Sequence, residues 1–152
     1  VKNLVVSVQR QKRQMSVVLY NKTVSVPCIG LLDSGNLLTM PLSGNPVHIA
    51  DAALLQKLVD EKTVQKEIPY RALGNPHGKL QVYCMDGMKV ETEPAKFCDW
   101  KQVWVGCAEN GVLCNKPYQL ILHASVADRW LHKRSIPNDK KLRKEKRNVF
   151  TV

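Results

Sequence analysis

The stretch Gly30-Leu31-Leu32-Asp33-Ser34-Gly35-Asn36-Leu37-Leu38 sets one carboxylate between two apolar pairs. An aspartate inside a run that reads as a buried strand must be paired, protonated or catalytic, because a bare buried charge costs several kcal/mol or more. The same Asp-Ser-Gly composition also makes a surface turn in which Asp caps its own backbone. The chemistry open to such a carboxylate is acid–base hydrolysis of a peptide. That needs two carboxylates about 3 Å apart sharing one proton, so that one activates water while the other donates to the carbonyl oxygen. Asp33 alone cannot do both. Asp51, Asp60, Asp86, Asp99, Asp128 and Asp139 lack the apolar-apolar-Asp-Ser/Thr-Gly setting, although Asp86-Gly87 also ends an apolar segment. A homodimer whose two-fold axis joins the two copies of Asp33 is the economical solution.

Other chemistries find little support. Cys28, Cys84, Cys98, Cys107 and Cys114 are odd in number and contain no CxxC pair, so they read as reduced thiols, most of them small apolar core residues. No motif singles one out as a nucleophile. His48, His77, His123 and His132 are scattered and read as ordinary histidines, and no P-loop, GxGxxG or HExxH motif occurs. Neither metal nor cofactor is expected.

The elements that must position Asp33 are mostly β. Residues 3–8, 15–20 and 23–32 are rich in Val, Ile and Thr, with Asn21-Lys22 as a hairpin turn, and the third run becomes wholly apolar just before Asp33. Residues 51–61 change to helical period, with Leu54, Leu55, Leu58 and Val59 on one face and Asp51 as N-cap. Residues 67–73 and 79–85 form a projecting hairpin across a turn at 74–78, and 47–49, 89–97, 101–107 and 119–126 supply further strands. The fold class is mainly β with one short helix.

The 152 residues suit one domain, and no stretch reaches the apolar length of a membrane helix, so this chain alone is expected to be soluble. Its net charge of +10 sits at the ends: +4 over residues 1–13, +7 over 129–147, and −1 between them. The C-terminal run reads as a solvated tail, with a second reading as a patch for acidic partners. The chain begins with Val1 and reads as a fragment.

The order of hairpin, apolar strand, Asp-Ser-Gly, helix, projecting hairpin and Trp104-Val105-Gly106 resembles a retropepsin-like aspartic peptidase subunit. "GLLDSGNLL", "PLSGNPVHI", "IPYRALG", "HGKL" and "QLILHASV", in this order, more closely resemble the cytoplasmic domain of the sporulation sigma-E factor-processing peptidases, over residues 1–128. The resemblance implies a basic N-terminal segment with the first strand (1–13), a peptidase domain (14–128) and a basic tail (129–152). It implies an aspartic endopeptidase, active as a two-fold dimer, that removes the N-terminal pro-segment of the sigma-E factor precursor. Asp33 would be catalytic, Ser34 would hydrogen-bond across the dimer, and Gly35 would let the backbone turn. Leu31 and Leu32 would exclude water, and Gly106 would sit beneath the Asp loop. The hairpin from Tyr70 to Lys79 would be a flap, with Tyr70 and Arg71 at the substrate cleft; read bottom-up, the same two are equally a core aromatic and a solvated arginine.

The resemblance also implies a membrane-anchored protein with this domain on the cytoplasmic face, and a signalling partner acting through a membrane part outside this chain. Residues 1–13 fit an anionic lipid surface. The competing reading is a non-catalytic basic β-domain binding acidic protein or nucleic acid, with nucleic acid the weaker partner. Viral-type polyprotein processing shares the chemistry but not the wider motif set.

Overall fold

Strict alternation in the first hairpin builds one wall of a barrel. The computed structural model describes residues 12–72, 75–109 and 111–128. In β1 (Lys12–Asn21), Met15, Val17, Leu19 and Asn21 are buried while Lys12, Arg13, Gln14 and Ser16 are exposed. β1 pairs antiparallel with β2 (Val24–Asp33), Lys12 opposite Asp33 and Asn21 opposite Val24. The left-handed turn residue is Lys22 (φ 56°), not Asn21. Asn21 is buried instead, donating from Nδ2 to the Leu58 carbonyl at 2.9 Å and to Thr63 Oγ1 at 3.2 Å. It ties the hairpin to the helix.

The other elements are β3 (Val47–Ala50), α1 (Ala52–Leu58), β4 (Gln65–Ala72), β5 (Asn75–Glu93), β6 (Lys96–Cys107) and β7 (Leu120–Leu122). Strand order β1-β2-β7-β3-β6-β5, closed by a β1–β5 pairing, makes a six-stranded barrel, and β4 is added outside it on β5. The β2–β7 and β3–β6 pairs are parallel and the others antiparallel. The long β5 serves twice: its first part carries the β4 hairpin, and its later part pairs with β1.

Two apolar clusters follow from this topology. Val17, Leu19, Leu32, Met85, Met88 and Val105 belong to the main core, to which α1 adds Leu54, Leu55 and Leu58. Met40, Val47, Ile68, Leu80 and Val82 form a second cluster where the β4–β5 hairpin meets β3, with Leu38, Tyr70 and Trp104 packed against it. The second cluster fixes the hairpin beside the segment that follows Asp33.

Several boundaries differ from the sequence expectation. The helix ends at Leu58 because Asp60 builds a turn, accepting from the Lys62 N–H at 2.8 Å and pairing with Lys22. Asp51 stands at the N-cap without a side-chain cap bond. Residues 89–97 straddle a turn at left-handed Ala95 (φ 62°) instead of forming one strand. The projecting hairpin closes more tightly than 74–78, since Ala72 already faces Asn75, with a bulge between Tyr70 and Ala72. The strand expected over 119–126 is only Leu120–Leu122, and residues 125–128 turn helical, so the one expected helix is joined by a second helical segment.

The expected strand at 3–8, His132 and the tail 129–152 lie outside the described residues. Among the described residues no helix is long and apolar enough to cross a membrane.

Candidate active site

Asp33 is the last residue of β2, and its approach is buried on both faces. Gly30, Leu31, Leu32 and Asp33 are all buried, as the change from alternating to wholly apolar residues predicts. Leu32 enters the main core, while Leu31 and Asp33 share the opposite face by the two-residue period of a strand. A Cβ on Gly30 would stand 2.9 Å from Val17 Cγ2, so glycine permits the close packing of β2 on β1. Asp33 is only 4% exposed. The Gly35 N–H donates to its Oδ1 at 2.9 Å and the Asn36 N–H donates to its carbonyl at 2.9 Å, the Asx-type turn that Asp-Ser-Gly favours. The turn is thus of the self-capping kind, yet it is buried at a cleft and not on an open surface.

That cleft has a volume of about 440 Å³, and its walls include Asp33, Asn36, Leu37, Ile49, Tyr70 and Ile121. Among its described lining residues Asp33 is the single carboxylate. Tyr70 reaches the cleft from β4 while packing against the second cluster, so the two roles considered for it coincide. Arg71 lies on β4, and the expectation for its side chain falls outside the described residues. Ser34 is half-buried beside Asp33. Gly106 does not line the cleft. It pairs with Ile49, which does, and a Cβ on it would stand 2.5 Å from Leu80 Cδ2, so its need for glycine comes from the hairpin strand packed over it.

The other expected acids are occupied elsewhere. Asp86 is exposed and accepts the Lys22 N–H at 2.7 Å. Asp99 accepts from Tyr20 Oη at 2.8 Å and pairs with Lys101 at 2.9 Å. Burial pushes the Cys28 thiol up to about 11 and raises Cys84 and Cys107 as well, so none of these three is poised as a thiolate near neutral pH. Cys98 is buried, whereas Cys114 is exposed rather than a core residue.

The fold also joins two histidines that the sequence leaves 75 residues apart. The His123 N–H donates to His48 Nδ1 at 2.9 Å, and both rings are buried. Burial first, and the neighbouring His123 second, push His48 down to about 3, so it is neutral at ordinary pH. His123 Nδ1 accepts the Ser125 N–H at 3.0 Å, which caps the helical turn at 125–128 and explains why β7 is short. Burial lowers His123, against a smaller opposing pull from the Leu37 carbonyl in the loop after Asp33. No periodicity or motif could reveal this pair, because β3 and β7 meet only in the closed barrel.

No curated protein and no solved structure matches the chain. The family described as sporulation factor SpoIIGA matches residues 1–126, the described β-barrel and its Asp33 cleft included. With most of its length covered by that match, the chain belongs to the SpoIIGA family of sporulation peptidases.

Proposed function

We propose that this domain is half of an aspartic endopeptidase, a retropepsin-like subunit in which Asp33 works with Asp33 of a second copy to remove the N-terminal pro-segment of the sigma-E factor precursor. The observation that carries the reading is a carboxylate 4% exposed on the wall of a peptide-sized cleft that holds no second acid among its described lining residues. Two such carboxylates close together cannot both ionise, so the pair holds one proton. The ionised one takes a proton from water as its oxygen attacks the scissile carbonyl, and the protonated one donates to the carbonyl oxygen. Collapse of the tetrahedral diol breaks the C–N bond; the amine leaves with one proton, and the dyad regains the other.

Leu37, 69% exposed beside the cleft, is an apolar group suited to cover by the second copy. In this reading the β4–β5 hairpin is the flap, with Tyr70 over the substrate. The domain works at the cytoplasmic face of a membrane, held there by a part outside this chain through which a signal promotes pairing.

Mixing wild-type chains with Asp33→Asn chains tests the shared dyad, with cleavage of the purified precursor as the readout and solution mass as a check on pairing. Mixed dimers should be inactive, so activity should fall below the wild-type fraction. Cleavage proportional to the wild-type fraction with pairing intact, or retained by Asp33→Asn alone, would overturn the reading.

A further inference from the structure

We infer that Asn36 is a positioning residue for Asp33, an inference that rests on the aspartic reading above. Asp33 ends its strand, and the chain next finds a strand-type partner at the Thr39–Pro46 bridge. The Val47 N–H donates to the Leu38 carbonyl at 2.9 Å, and Asn36 adds several bonds nearer to Asp33. Its side-chain Nδ2 donates to the Val47 carbonyl at the start of β3 at 3.3 Å. Its Oδ1 accepts the Leu38 N–H at 3.2 Å. Its carbonyl accepts the Ala124 N–H at 2.9 Å, just beyond β7, and its own N–H closes the turn onto the Asp33 carbonyl at 2.9 Å. One residue therefore ties the Asp33 turn to β3 and to the segment just beyond β7, and bonds to Leu38 in the cleft wall.

The anchors are themselves rigid. Val47 is fully buried in the second cluster. Ala124 follows His123, whose backbone is tied to the buried His48 ring. An amide suits this position because it donates to one carbonyl and accepts from one N–H through two separate atoms; an ionised aspartate only accepts, and a serine hydroxyl must do both through one oxygen on a shorter arm. Proton sharing between two carboxylates depends steeply on their separation, and a misplacement of about 1 Å can cost roughly 100-fold in rate. Loosening this loop should therefore cost far more in chemistry than in binding.

The test is steady-state cleavage of the sigma factor precursor by full-length chains carrying Asn36→Ala or Asn36→Asp, beside Val90→Ala as a distant core change matched in melting temperature. Asn36→Ala should lower kcat by roughly 100-fold with KM held, and should shift the limbs of the kcat/KM profile against pH. Asn36→Asp keeps the acceptor for Leu38 but loses the donor to Val47; it should also lose kcat with KM held, which keeps the question open to decision if the alanine variant does not fold. Equal losses in Val90→Ala, a change confined to KM, or unmoved pH limbs would each overturn the positioning role. Cleavage surviving in Asp33→Asn would instead remove the aspartic reading beneath it.

Discussion

Two aspartates end apolar segments in this chain, and the barrel treats them in opposite ways. Asp33 closes β2, is 4% exposed on the wall of a cleft, and accepts the Gly35 N–H within its own turn. Asp86 lies within β5, exposed, in a neighbourhood of Lys22, Asp60, Tyr20, Asp99 and Lys101 where opposite charges compensate one another. Gly87 beside it is no catalytic turn; a Cβ there would stand 2.1 Å from the Tyr20 ring, so glycine admits that ring. What sets Asp33 apart from Asp86 is therefore burial at a cleft, not the residue that follows it.

That contrast can be broken most directly by exchanging charge for amide at each place. Asp33→Asn should cut precursor cleavage by about 10²–10⁴-fold with the fold intact by circular dichroism, whereas Asp86→Asn should leave the cleavage rate unchanged. Gly87→Ala should cost about 1–3 kcal/mol in denaturant unfolding, because the new methyl group must displace Tyr20 from its place beside Asp99 and Lys101.

The buried histidine pair has its own signature in pH. His48 titrates near 3 in the fold against 6.5 in an unfolded chain, so between those values the unfolded state binds the extra proton. Its contribution is complete above 6.5 and is lost as pH falls toward 3, at up to about 1.4 kcal/mol per pH unit. His48→Asn should flatten that part of the stability profile measured by urea unfolding. An equally steep profile in the variant would show that His48 is not what acid attacks. The smallest effect belongs to the exposed region: Asp86→Ala should cost about 0.5–1.5 kcal/mol by loss of the bond from the Lys22 amide.

Much of the barrel was legible because strands advertise themselves through a two-residue period. Met15, Val17 and Leu19 alternate with polar neighbours, and the change to continuous apolar residues at Ile29–Leu32 correctly located the buried approach to Asp33. The failures have particular causes. A turn at Asn21-Lys22 was readable, but Asn21's burial under α1 was not, because its partners Leu58 and Thr63 are distant in sequence. The shortened β7 depends on His123 capping the segment after it, a local bond hidden in a run that has strand composition. Gly106 was noticed for its place in a motif, whereas its physical reason is Leu80 on the neighbouring strand.

By itself the sequence determined the mainly β class, one short amphipathic helix, the family resemblance and the aspartate most worth testing, since each of these is written in neighbours along the chain. Only the tertiary structure decided which side chains surround that aspartate. Closing β1 onto β5 and inserting β7 between β2 and β3 brought Ile49, Tyr70 and Ile121 to one cleft, Asn36 to Val47 and Ala124, and His48 to His123. Those contacts join residues remote in the chain, and periodicity carries no information about which strand will lie beside which.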